Sequence, residues 1–359
     1  MVYNAPKLIV YHNAERAGLA ENITSLQWKP AFCNAGEFKL VCAATAKNRA
    51  LLVPDALLYN PDTPGQAALV LAVEADGNAC KLTVRGKFAL CRLTARVARG
   101  TYVVTEAASA LLRICRENLR GLAVEIPQGV GFTAPCSETI AWQDCCTAAV
   151  QLAKAGGFGV RMRFDPASAT ETLELTQGKN RSVPGTEFYN GYFSTRMQNL
   201  TGAVYTEDAS SYANVILCGG ESPAEGDSFT RYFCEVGDLT ATGNARRELW
   251  VDGSSVTHRH TVQGADGTTA EAVYSEAEYQ TVLQNYARAA LTAHISTREL
   301  KCTAADTTMR YGEDYNLGDR VPIRVEELGL AATAQVSAVC LIYENGVRTR
   351  NPVLDNFIF

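Results

Sequence analysis

With 359 residues, 47% hydrophobic and 20% charged, the sequence is too apolar for wholesale disorder, and its formal net charge of −5 excludes a surface that is basic throughout. At roughly 150 residues per domain, a chain of this length predicts two or three domains. Its 33 basic residues are 24 Arg and nine Lys, a bias toward fixed, bidentate pairing and contacts with other proteins.

Residues 1–13 lack the basic start, apolar run and small-residue cleavage site of a secretion signal. The longest apolar stretches, such as residues 67–73, are far short of the roughly 20 residues that span a bilayer. A soluble chain made in the cytoplasm, without membrane insertion, is expected. Strands are predicted over 7–11, 23–29 and 36–42, the last two with alternating apolar and polar side chains. Two more follow over 67–75 and 81–86, with Asp76-Gly77-Asn78 as the turn between them.

Composition shifts near residue 100. A helix is predicted from Thr105, which caps it, with Leu111, Leu112 and Cys115 on one face. A second is predicted over 139–155, ended by Gly156-Gly157, with a strand over 158–164. Strands are then predicted over 171–176, 188–193, 201–206, 213–220 and 228–236. The longest helix signal spans 275–300, with Tyr279, Val282, Leu283, Tyr286, Ala290 and Leu291 at helical spacing. Strands over 301–304, 320–325 and 333–343 close the chain, and Asn345-Gly346 makes a hairpin turn before the last strand. The fold class expected is α+β, mainly β: two β-barrel-like domains with intervening α/β segments. The boundaries are 1–100 for the first β domain, 101–165 for the α/β domain and 166–265 for the second β domain. Residues 266–310 form a helical segment and 311–359 the strands that complete a barrel.

Constellations for chemistry are weak. The twelve cysteines are scattered without a CxxC pair, most of them in apolar segments, and read as reduced core thiols with no zinc site. His258 and His260 sit two apart without a matching carboxylate or third ligand, and a solvated loop or hairpin is the better reading. No Gly-x-Ser-x-Gly elbow occurs, and Gly156-Gly157-Phe158-Gly159 lacks the Lys-Ser/Thr of a phosphate loop. Glu106, Glu117, Glu138 and Asp144 lie in or beside predicted helices, where solvation and first-turn dipole pairing explain them. Neither catalytic residues, nor a cofactor, nor a metal is expected.

What stands out belongs to turns and strand edges: Trp28 with Gly36-Glu37-Phe38, Gly178-Lys179-Asn180-Arg181-Ser182, Phe193-Ser194 and Asn199-Leu200. Residues 205–215, Arg247-Glu248-Leu249-Trp250-Val251-Asp252 and Tyr315-Asn316-Leu317-Gly318-Asp319-Arg320-Val321 complete the set. In this order, over about residues 5–355, the sequence resembles the baseplate-hub or tail-tip proteins of tailed bacteriophages, long-tailed-phage hub proteins related to the central hub of contractile tails. The resemblance implies a structural, non-enzymatic protein of a virion tail, made in the bacterial cytoplasm. It implies a homotrimeric ring that adapts the six-fold tail tube to a three-fold tip. Its expected partners are a distal tail protein, the tail tube and a spike or fibre, with DNA and tape-measure protein as passing cargo. Wall-hydrolase activity, carried by a C-terminal extension in some relatives, would come from another protein, because the chain stops at Phe359.

Arg181, Arg246, Arg247, Glu248, Asp252, Asp319 and Arg320 are the interface candidates, charged groups at strands and turns where a neighbouring subunit could meet them. Intrachain turn and sheet contacts are the alternative for each. Two other functions stay open: a peptidoglycan-degrading tail enzyme, and a carbohydrate- or receptor-binding β module with a groove lined by Tyr189, Tyr192 and Phe193.

Overall fold

The computed structural model describes residues 4–221, 232–263 and 269–359. The chain forms two compact units, Met1–Ala203 with Lys301–Phe359, and Val204–Leu300. Strand outweighs helix, 45% to 18%, so the mainly β architecture predicted by the alternating patterns is the one present.

The first unit opens with β1 (Ile9–His12), β2 (Glu15–Leu19), β3 (Ile23–Lys29) and β4 (Glu37–Ala43). Helix α1 (Ala46–Leu51), capped by the Thr45 hydroxyl, precedes β5 (Leu57–Tyr59), β6 (Ala67–Asp76) and β7 (Lys81–Phe88). The alternation is what fixes the sheet face: Ile23, Leu26 and Trp28 of β3 meet Phe38, Leu40 and Cys42 of β4 and Leu82 and Val84 of β7 in one core.

A second core follows. Strand β8 (Thr101–Glu106) leads into α2 (Ala107–Asn118), and β9 (Pro135–Ala141) into α3 (Cys145–Gly156). The hairpin of β10 (Gly159–Asp165) and β11 (Thr170–Thr176) closes it. Leu111, Leu112 and Cys115 of α2 pack here with Cys146, Ala149 and Leu152 of α3, as the helical spacing predicts.

Both helix starts differ from expectation. The cap of α2 is Glu106, not Thr105: its carboxylate accepts the N–H groups of Ala108 at 3.1 Å and Ser109 at 2.7 Å. Residues 139–141 belong to β9, where Ile140 lies opposite Tyr102. Trp142 turns the chain with a φ of 49°, and Asp144 then caps α3.

Burial raises the Glu106 carboxyl, but bonds from the Ser109 hydroxyl and the Ala134, Ser109 and Ala108 N–H groups outweigh it and hold the group below the usual carboxylate range. A depressed carboxyl stabilises the fold above its unfolded pKa, and that stability disappears as pH falls through the folded value. Glu106→Gln is therefore expected to lose about 1–2 kcal/mol at neutral pH, with the difference from wild type closing in acid. Urea titrations across the acid range check this.

After β11 the chain forms β12 (Phe193–Ser194), the only strand in the segment predicted over 188–193, and then β13 (Leu200–Asp208). The second unit holds β14 (Val215–Gly219), β15 (Phe233–Gly237), β16 (Glu248–Asp252), β17 (Arg259–Gln263) and β18 (Thr269–Val273). Residues 228–231 of one predicted strand lie outside the described residues. Helix α4 (Glu276–Ala293) starts at a capping box of Ser275 and Glu278. It ends earlier than predicted, because 297–300 already belong to β19 (Thr297–Ala304), which pairs with β13. Its buried stripe is Tyr279, Leu283 and Ala287, packed on Ile216, Cys218, Cys234 and Val236.

The chain finishes in the first unit with β20 (Arg320–Val325), β21 (Leu330–Glu344) and β22 (Val347–Ile358). The last two are joined by Asn345-Gly346, both with positive φ, as the hairpin signal predicts. Eleven strands make one sheet in the order β12-β20-β21-β3-β4-β7-β6-β5-β1-β2, with β22 also on β21. Strand β21 ties the two ends of the sequence together: Gln335 faces Arg320 in β20, and Leu341 faces Trp28 in β3.

Candidate functional site

The Leu317-Gly318-Asp319 turn and the 178–182 segment, 138 residues apart between Arg181 and Asp319, form one knot. The Arg181 Nε donates to Asp319 Oδ2, and both side chains are buried, 8% and 3% exposed. Asp319 also accepts the Lys179 N–H at 2.8 Å and the Asn316 N–H at 2.9 Å. The backbone repeats the link, with the Arg181 N–H donating to Arg320 O and the Arg320 N–H to Lys179 O. Close approach requires glycine here. A Cβ on Gly178 would lie 1.9 Å from the Gly318 carbonyl oxygen, and one on Gly318, at a φ of +86°, 2.1 Å from the Phe32 ring.

The other candidates lie in the second unit, where β14 is flanked by antiparallel β15 and parallel β16. Arg246 sits between Glu248 at 2.5 Å and Glu235 at 3.4 Å. Arg247 donates its N–H to Asn214 Oδ1, and its guanidinium lies 5.7 Å from the centre of the Tyr212 ring. Asp252 accepts the Ser254 N–H at 3.0 Å. The seven candidates thus fall into two groups in different units. Arg181 and Asp319 are internal, while Arg247, Glu248 and Asp252 are exposed and already hold intrachain partners.

Two buried polar centres carry almost no signal in the sequence. Glu171, buried, grips Arg92 with two bonds of 2.6 and 2.8 Å across 79 residues. Asn199, fully buried, accepts the Ser194 N–H and donates to Tyr192 O and Thr308 Oγ1. The pairing of such groups is set by tertiary structure, and only the Asn199-Leu200 dipeptide hinted at one of them.

Seven of the twelve cysteines are buried and behave as small hydrophobes, whereas Cys80 is exposed. Burial pushes the Cys42 and Cys91 thiols up to about 11 and Cys146 to about 12, which disfavours the reactive thiolate. His258 stacks on Tyr279 at 3.4 Å and takes Glu221 as its carboxylate partner at 3.2 Å, while His260 stacks on Tyr274 at 3.8 Å. Among the described residues no group of three His, Cys, Asp or Glu is placed to hold a metal ion, and no helix is long and apolar enough to cross a membrane. Of the rings proposed to line a glycan groove, Phe193 is fully buried against Tyr315, and Tyr192 packs 4.6 Å from the Arg324 guanidinium.

The fold is that of phage tail proteins. It is similar over 97% of this chain to the 43 kDa tail protein of prophage MuSo2 from Shewanella oneidensis, covering 98% of that protein at 12% identity and a TM-score of 0.53. It is also similar to a tail protein from Neisseria meningitidis MC58, with 98% and 97% of the two chains covered at 11% identity and a TM-score of 0.51. No curated protein matches the sequence. Residues 9–354 match the family of Siphovirus ReqiPepy6 Gp37-like proteins, and the chain belongs to that family. The resemblance to tail proteins of tailed bacteriophages, read from short ordered motifs, therefore holds over nearly the full length.

Proposed function

We propose that this chain is a structural, non-enzymatic component of a virion tail, a baseplate-hub or tail-tip protein. One observation carries the reading: family membership spans residues 9–354, and the same span has the fold of prophage tail proteins over nearly the whole length of both chains. In the tail the chain forms a homotrimeric ring that adapts a six-fold tube to a three-fold tip, two β-rich parts of each chain giving six similar elements. A distal tail protein and the tube lie on one side and a spike or fibre on the other. DNA and tape-measure protein pass through.

A closed three-fold ring requires heterologous contacts, one patch meeting a different patch on the next copy. Arg247, Glu248 and Asp252, exposed on the second unit, are the charged groups proposed to serve such contacts. Light scattering on the purified protein at high concentration is expected to give three times the 38.7 kDa of one chain. A stable two-fold dimer would overturn the ring.

A further inference from the structure

Four of the nine lysines in this acidic chain line one cleft. It lies in the first unit, where β20 and β3 part company along β21, and has a volume of about 1120 Å³. Lys29, Lys87, Lys154 and Lys179 surround it with Arg320, against two carboxylates, Glu37 and Asp355. Five basic groups against two carboxylates leave the lining with three positive charges in excess. Glu37 is paired with Lys29 at 3.5 Å, and Asp355 accepts the Ser337 hydroxyl at 3.1 Å. Lys87 and Lys154 make no ion pair with any described residue, and Lys179 rests 5.0 Å from the centre of the Phe188 ring. Arg320 Nη1 is buried without a hydrogen-bond partner. A buried guanidinium N–H without a partner is an unsatisfied donor, so an oxyanion reaching it gains more than one at the rim.

We infer that this cleft binds a carboxylate-rich peptide segment of a neighbouring protein. The cations come from five separate stretches of chain and are spread around a large volume, which suits an extended ligand carrying several charges better than a single phosphate. The cleft also offers no aromatic platform. Its one ring, Phe32, is 4% exposed and hemmed in by Gly159 and Gly318, so bases have nothing to stack on. The reading of a tail protein supplies only the expectation of close neighbours. The cleft is complete within a single chain and can be tested whether or not a ring forms.

The experiment is fluorescence anisotropy on the full-length protein with labelled decaglutamate at about 20 mM salt, where screening is weak. Labelled single-stranded decathymidylate is the comparison. The exposed lysines allow charge reversal without disturbing the core. Lys87→Glu with Lys154→Glu is expected to weaken decaglutamate binding about tenfold or more, roughly 1.4 kcal/mol or above. Lys39→Glu with Lys81→Glu, which changes net charge equally outside the cleft, is expected to leave it within about twofold. Equal loss in both double variants, or no decaglutamate binding, would overturn the proposal. Tighter binding of the oligonucleotide than of the peptide would replace it with a nucleic-acid site.

Discussion

Asp319→Ala is expected to destabilise the protein by about 3–5 kcal/mol, measured by urea denaturation at neutral pH. The cost comes from what remains after the carboxylate is removed. Arg181, 8% exposed, keeps its charge in a place where water does not reach it. The Lys179 and Asn316 N–H groups lose their acceptor at the same moment. Arg181→Ala is expected to cost less, because the two N–H donors still hold the Asp319 carboxylate. Asp319→Asn, which keeps one acceptor oxygen, falls between them. Replacing both partners, as in Arg181→Met with Asp319→Leu, will not restore stability, because the backbone donors stay unsatisfied. A cost below about 1 kcal/mol for Asp319→Ala would mean the knot does not hold the two segments together.

The same pair marks the limit of what the sequence discloses. Leu-Gly-Asp before a strand signals a turn, and the turn is there, with Asp319 closing it onto Asn316. The partner lies 138 residues away, and no local pattern records such a distance. Arg181 and Asp319 therefore read as interface candidates, with intrachain contact only as the alternative, although they are buried against each other within the chain. Strands with clean alternation were legible to within a residue or two: 23–29 and 320–325 match, and 36–42 is shifted by one. The start of α3 was not legible, because Ile140 and Trp142 fit either period, and the positive φ at Trp142 breaks the helix before Asp144 caps it. The end of α4 was lost to tertiary pairing: 297–300 join β19 against β13, which overrides the helical reading. The basic cleft was invisible because its cations come from separate stretches of chain, and a lysine on an exposed strand looks the same wherever it points.

Trp28→Ala is expected to cost about 3–5 kcal/mol, as large aromatic truncations in a sealed core do. Trp28 is fully buried at the centre of the first core, with the Phe88 ring edge-on at 4.8 Å and the Phe38 ring at 5.7 Å. Its position in β3 sets it opposite Phe38 in β4, so the tryptophan and the Gly-Glu-Phe strand singled out in the sequence are one cross-strand contact. It also faces Leu341 of β21, where the two ends of the chain share a sheet. A cavity here therefore loosens the closing strands as well as the opening ones. The indole Nε1–H donates to Gln66 Oε1 at 3.1 Å, both buried, so even Trp28→Phe, which keeps an aromatic ring, leaves a buried acceptor unpaired and is expected to cost about 1–3 kcal/mol. Fluorescence reads the effect directly. Trp142 and Trp250 are 68% and 52% exposed, so the blue-shifted component of native emission belongs to Trp28 and should vanish in Trp28→Phe. Retention of that component would show that Trp142 or Trp250 is shielded from water, and a loss below about 1 kcal/mol for Trp28→Ala would show that the shared sheet does not depend on this side chain.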